Sequence, residues 1–335
     1  MRAATVTDDH RLEISEVADP SPAQGQLILR TTGCGVCGSD LHMIDFMPEG
    51  MVLGHEFCGE VVAVGADATG FSEGDLVCSI PIMGCGSCSW CLAGHVARCT
   101  AQTPIGLGPQ HGGYAEYVAV GARETFLLPD QLAASEGALV EPLAVGLHAV
   151  EEAELTVDDD VLIIGAGPVG LAIAHWCRHF GAREIIVSDP VAARRDFAVT
   201  FGATAAIDPT DSDVGAEAER LAGRRPRVVF ECVGVPGMIE HAATCASLDG
   251  TVVVAGVCMG PDTFSPFPVM QKELTMKFVL FYRDRDFRYT IDMLRAERIR
   301  PTPMVSNLVT LDELPAAFQA LRSPSTECKV IWTPS

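Results

Sequence analysis

Val161-Leu-Ile-Ile164, Gly165-Ala-Gly167-Pro168-Val169-Gly170, an apolar run to Phe180 and Glu184-Ile-Ile-Val-Ser-Asp189 form the stretch on which the fold turns. A short apolar run, a glycine turn, a helical stretch and a second apolar run read as strand, helix, strand, the repeating unit of a parallel sheet. Gly165 permits the tight turn, Gly167 lets a pyrophosphate approach the backbone, and Gly170 lets the helix lie close to the strand. The helix N-terminus then offers free N–H groups and the positive end of a dipole. A glycine-rich turn also occurs in folds that bind no nucleotide. Here the preceding strand, the following helix and Asp189 at the end of the next strand single out the dinucleotide reading, with Pro168 and Val169 in the same turn.

Asp189 also bears on which dinucleotide. A carboxylate there accepts from the adenine-ribose hydroxyls and repels a 2′-phosphate, so NAD is expected over NADP. Arg194 is expected beside the adenosine. With Arg195 it is also the feature that would otherwise favour a phosphate.

Working outward, Arg227-Val-Val-Phe230 and Thr251-Val-Val-Val254 read as further buried strands of the same sheet. Before Pro142 the rhythm differs. Short runs such as Gln26-Leu-Ile-Leu-Arg30 and Glu60-Val-Val-Ala-Val64, separated by glycine, proline and aspartate, predict a β-rich domain. Near the C-terminus, Cys328-Lys-Val-Ile-Trp332 is placed to pair back onto that domain. A chain of 335 residues is long enough for two such cores.

Cys85, Cys88, Cys91 and Cys99 bring four thiols into fifteen residues, a spacing that suits one tetrahedral structural zinc. A pair of disulfides is the alternative. The 13 cysteines are an odd number, and Met1-Arg-Ala-Ala-Thr5 lacks the apolar core of a signal peptide, so a reducing, cytoplasmic location and a metal are expected. A net charge of −21 argues against nucleic acid or an anionic membrane as partner.

A closed four-sulfur site does no chemistry, so a second one is needed. Cys34-Gly-Val-Cys37-Gly-Ser39-Asp40-Leu-His42, Gly54-His55-Glu56 and Val140-Glu141-Pro142 supply thiol, imidazole and carboxylate from three places. One Cys, one His and one Glu would hold a zinc with a fourth position open. Singly, each residue type is commonly structural; beside a dinucleotide fold the combination points to catalysis.

With GVCGSDLH, VLGHEFCGEVVAVG, the four-cysteine lobe, HGGYAEY, EPLAVGLHAV, GAGPVG and ECVG, the chain resembles a zinc-containing medium-chain alcohol dehydrogenase from end to end. Glu141 before Pro142 resembles the sorbitol, butanediol and threonine dehydrogenase branch. The resemblance implies an α/β architecture. A GroES-like catalytic domain covers 1–143 and 286–335, and a Rossmann domain covers 144–285. It implies two zinc ions per chain, a homodimer or homotetramer, and an alcohol or ketone as substrate. It places Cys37, His55 and Glu141 around the catalytic zinc, with Glu56 as an outer or exchanging ligand. Ser39 and His42 match the family's proton relay. Val233, Ala255, Val257 and Phe281 fall where the family's chain reaches the nicotinamide. Cys34, Cys58, His95 and His148 are read as structural.

Two other functions were open to this pattern. A non-enzymatic, crystallin-like relative would tolerate loss of the open-site ligands, and a zinc-free quinone or enoyl reductase would lack both ligand sets. Polyol enzymes carry a Tyr after the relay histidine and an Arg near the nicotinamide, where Met43 and Phe281 stand here. Together with the apolar residues of the Met43–Leu53 stretch, this predicts a secondary alcohol that is apolar or cyclic rather than a polyol.

Overall fold

A computed structural model describes residues 1–129, 132–323 and 325–334. The chain divides into two compact units, Met1–Glu141 with Tyr282–Ser335, and Pro142–Phe281. The resemblance had placed the cuts at 143/144 and 285/286. Tyr282 falls in the first unit because its ring is buried there, 5.5 Å from that of Phe287.

The first unit is built on a seven-stranded sheet. Its path runs Val305–Val309, Lys329–Trp332, Gln26–Gly35, Glu56–Val64, Leu76–Ser79 and Thr125–Leu127, and Tyr117–Gly121 also pairs with Gln26–Gly35. Inward-facing Leu27, Leu29, Val61 and Trp332 are fully or almost fully buried, and Phe318 from the Leu314–Leu321 helix joins their core. The C-terminal strand returns as expected, pairing Ile331 with Gly35 and Trp332 with Cys34. The Glu56–Val64 strand starts four residues earlier than its apolar run predicts, because Glu56 to Gly59 pair with the end of Gln26–Gly35. That extension brings Glu56 opposite Gly35.

The second unit is a six-stranded parallel sheet in the order Ala205–Ile207, Glu184–Ser188, Asp160–Ile164, Val228–Glu231, Thr251–Val254, Thr275–Phe278. This is the doubly wound order 3-2-1-4-5-6 of dinucleotide-binding folds. Val161, Leu162 and Ile163 have no exposed surface, as expected for a central strand covered by helices on both faces. Among the described residues, no helix is long and apolar enough to cross a membrane.

Candidate functional site

Cys37 follows the Gln26–Gly35 strand and caps the Gly38–Met43 helix. His55 follows Gly54, whose φ of +93° suits glycine, and Glu56 opens its strand. The ligand atoms of Cys37, His55 and Glu56 all lie within 4.8 Å of one another. One thiol, one imidazole and one carboxylate are donors that zinc accepts. His55 and Glu56 are buried while Cys37 is half-buried.

The ring of His55 is oriented from behind. Its Nδ1 lies 3.0 Å from Asp40 Oδ1, so the ring donates there and leaves Nε2 toward the ligand group. Burial opposes charge on His55, but the adjacent Asp40 carboxylate outweighs it and holds the imidazole well above its usual range. Glu56 is equally constrained. Lys329 Nζ donates to both of its oxygens, at 2.6 and 2.7 Å, and to the Val36 carbonyl at 3.1 Å. Burial opposes the lysine's charge; the Glu56 carboxylate raises its pKa regardless. A side chain at Gly35 would collide with Glu56, so the facing glycine makes the room.

Sequence reasoning gave the third ligand position to Glu141 and put Glu56 behind it. The structure groups Glu56 with Cys37 and His55, and leaves Glu141 outside that set among the described residues. Glu141 is nonetheless close by. Burial pushes its carboxyl up to about 7, His55 and Lys329 act against that rise, and Glu56 adds to it. It lies beside the phenol of Tyr282. Ser39 Oγ is 3.3 Å from His55 Nε2, and exposed His42 follows one turn later on the same helix.

Asp40, Lys329 and Tyr282 were missed as site residues. Asp40 stood inside the quoted GVCGSDLH motif, three residues from Cys37 with capping-box spacing, which was the available signal. The apolar reading of Met43–Leu53 is corrected. Ile44, Met47, Met51, Val52 and Leu53 belong to the core of the first unit, Met43 packs against it, and Phe46 is exposed. Burying the turns ahead of His55 accounts for their apolar character.

Cys85, Cys88, Cys91 and Cys99 also converge within 4.8 Å, around the short Ser89–Leu92 helix. Among the described residues the cysteines form no disulfide. Backbone N–H groups point at the sulfurs, Cys88 N at 3.4 Å from Cys85 Sγ and Cys91 N at 3.4 Å from Cys88 Sγ. The N–H groups of Ser87 and Cys88 draw Cys85 down to about 6. His95 stands edge-on to Trp90 at 6.0 Å, a packing role, and His148 is buried, as are Cys34 and Cys58.

In the second unit, Gly165 has φ +102°, and a side chain at Gly170 would strike the Gly165 carbonyl. A side chain at Gly167 would meet nothing, so space stands open over the turn. The Pro168–His179 helix starts there without a side-chain cap, leaving its first N–H groups for an anion. A cavity of about 640 Å³ adjoins the turn, lined by Gly165, Gly167, Asp189, Arg194, Val233 and His241 among others. Asp189 accepts from the N–H of Ala166 at 2.9 Å and of Val191 at 2.8 Å. Arg195 is engaged with the Asp189 carbonyl and Asp208, whereas Arg194 has an unpartnered buried Nε and reaches to 4.0 Å from Asp189 Oδ2. Val169 lies in the first turn of the helix; Ala255 and Val257 follow the Thr251–Val254 strand, and Phe281 ends the unit with φ +59°. These last three are not among the cavity-lining residues.

Residues 23–130 match the alcohol dehydrogenase GroES-like domain, and residues 168–296 match the zinc-binding dehydrogenase family. The (R,R)-butanediol dehydrogenase of Bacillus subtilis (strain 168) is 30% identical, with all of both chains covered. The sorbitol dehydrogenase of Gallus gallus is 31% identical over 94% of this chain and 90% of its own. The solved alcohol dehydrogenase TADH from Thermus sp. ATN1 superposes with a TM-score of 0.93 at 27% identity, covering 100% of both chains. Two family patterns that between them fall in both units, and relatives of 30% identity or more matched over 94–100% of the chain, make this protein a member of the zinc-type medium-chain alcohol dehydrogenases.

Proposed function

We propose that this alcohol oxidoreductase is an NAD-dependent dehydrogenase of secondary alcohols, with zinc held by Cys37, His55 and Glu56 and a second, structural zinc held by Cys85, Cys88, Cys91 and Cys99. The observation that carries the reading is the convergence of Cys37, His55 and Glu56 within 4.8 Å, beside Glu141, with His55 oriented by Asp40. When bound, zinc supplies a Lewis acid that makes an alcohol proton acidic near neutral pH, and the nicotinamide accepts the hydride.

The chain's own groups supply the rest. Ser39 Oγ, 3.3 Å from His55 Nε2, would receive the alcohol proton while passing its own hydroxyl proton on to the nicotinamide ribose. His42, exposed on the same helix, carries it toward solvent. Glu141 and Tyr282 add a carboxyl and a phenol that can hold a substrate hydroxyl. On the nucleotide side, Gly165, Gly167, Pro168, Val169 and Gly170 receive the pyrophosphate. Asp189 receives the adenine ribose with Arg194 beside it, and Val233, Ala255, Val257 and Phe281 approach the nicotinamide.

NAD is favoured over NADP because Asp189 is among the residues lining the cavity, and its negative charge would repel a 2′-phosphate there. A homodimer or homotetramer is favoured by the open edge strand Thr275–Phe278, whose Phe278 is exposed. Phe281, in place of a polyol anchor, still favours an apolar or cyclic secondary alcohol. The relatives support a second reading, a polyol, butanediol or threonine substrate.

One sample tests the proposal: metal analysis alongside NADH formation from a panel of alcohols. Two zinc ions per chain and NADH from secondary alcohols are expected; a single zinc with no NADH formed overturns it.

A further inference from the structure

The carboxylate that orients the metal-facing histidine is itself held in place, and the residue holding it has no role in the reading above. Asp40 is fully buried and accepts three hydrogen bonds. His55 Nδ1 lies 3.0 Å from Oδ1, the Cys37 N–H donates to Oδ2 at 3.1 Å, and the Tyr114 hydroxyl donates to Oδ2 at 2.7 Å. One carboxylate therefore ties together the ring of one ligand and the backbone of another. Among the described residues, its side-chain donors are His55 and Tyr114.

Tyr114 is fixed independently of that bond. Its N–H donates to the Leu53 carbonyl at 3.0 Å, its carbonyl accepts from Ala4 at 2.8 Å, and Gly113 N–H donates to Gly54 at 2.7 Å. This pairs the Gly112–Tyr114 segment with the residues immediately before His55. The Tyr114 ring occupies the space that a side chain at Gly54 would need, and meets Phe318 edge-on at 6.3 Å. The ring thus clamps the turn that delivers His55, and the hydroxyl anchors the carboxylate that orients it.

We infer that Tyr114 is a positioning residue for the metal site, acting on Cys37 and His55 together through Asp40. The inference rests on the reading that Cys37, His55 and Glu56 hold zinc. Without the hydroxyl, Oδ2 retains only the longer bond from Cys37, and the carboxylate is free to turn away from the His55 ring. Outer partners of metal-bound histidines typically contribute about 10- to 100-fold in metal affinity, and a residue one step further out should fall near the lower figure.

The test is a chelator titration of the zinc-loaded enzyme, comparing wild type, Tyr114→Phe and Trp332→Phe, with Cys37→Ser to identify which transition belongs to this site. Trp332 donates from Nε1 to the Gly113 carbonyl at 2.8 Å, so its variant loses a neighbouring buried bond that does not reach Asp40. Tyr114→Phe should lose the Cys37-dependent zinc at roughly tenfold lower chelator, with the other zinc unmoved. Trp332→Phe should lower Tm without that shift. An unshifted transition in Tyr114→Phe, or an equal shift in both variants, overturns the inference. A wild-type enzyme with no Cys37-dependent zinc overturns the underlying reading instead. Should Tyr114→Phe not fold, NMR of the zinc-loaded wild type decides. Slowly exchanging protons on Tyr114 Oη and His55 Nδ1, joined by an NOE, support the arrangement, and a rapidly exchanging hydroxyl overturns it.

Discussion

The two groups of residues that could hold a metal are built on opposite plans. Cys85, Cys88, Cys91 and Cys99 come from one short segment, and their backbone N–H groups help hold the sulfurs. Cys37, His55 and Glu56 come from strand ends brought together by the sheet, and depend on Asp40, Tyr114 and Lys329 for orientation and charge. The first group needs little beyond its own loop. The second needs the whole first unit to be folded, and keeps one of its three ligand candidates, Cys37, half-buried.

The sharpest way to break this contrast is His55→Ala. Several kcal/mol of Lewis-acid stabilisation would be lost, so turnover should fall by about a thousandfold or more while the four-cysteine zinc stays bound. Metal analysis and NADH formation on one preparation would read both; loss of both metals would erase the distinction.

Lys329→Met attacks the same group through its charge balance. Removing one partner of a buried ion pair costs about 3–5 kcal/mol, and urea denaturation of the zinc-free protein should show it. Near-wild-type stability would mean that Glu56 finds another counter-charge.

For the lobe, Cys88→Ser should act on stability and spare the chemistry. Losing about 3 kcal/mol at roughly 2–4 °C per kcal/mol lowers Tm by about 10 °C, with turnover per folded molecule retained at low temperature. A calorimetric scan and an assay at 15 °C or so separate the two. Folded Cys88→Ser without activity would make the lobe part of the catalytic machinery.

The nucleotide site extends the contrast to a smaller effect. Asp189→Ser should raise the ratio of NADP to NAD kcat/KM by about 10- to 100-fold, the scale of one repelled charge. An unchanged ratio would shift the discrimination to Arg194. Smallest of all, cyclohexanol should exceed sorbitol in kcat/KM by roughly tenfold or less, since polar anchors are worth about 1–3 kcal/mol each and Glu141 and Tyr282 supply some of what Phe281 lacks. Sorbitol ahead by tenfold would assign the enzyme to the polyol substrates.

Legibility followed the same divide. The lobe, the glycine turn and the strands beside it were readable because their determinants are neighbours in sequence: thiols at fixed spacing, or Gly165, Gly167 and Gly170 between apolar runs. The C-terminal strand was readable from its composition and place. Lys329 against Glu56 was not, since nothing local marks a lysine as buried; only the register of three strands brings it there. Tyr114 was hidden likewise, because its tie to Asp40 spans 74 residues. Met43–Leu53 misled for a related reason, as a core segment and a pocket lining share the same apolar composition.

The pairing of Glu56 with Lys329 across 273 residues also sets an order in time. At about 5–20 residues per second of synthesis, Glu56 leaves the ribosome roughly 15 to 55 s before its counter-charge exists. Through that interval the four-cysteine loop can already close on a metal, whereas a metal reaching Cys37 and His55 would meet a carboxylate with no ammonium to share it. The nascent chain would therefore be a different metal ligand from the folded chain, and the strand that carries Lys329 would convert one into the other.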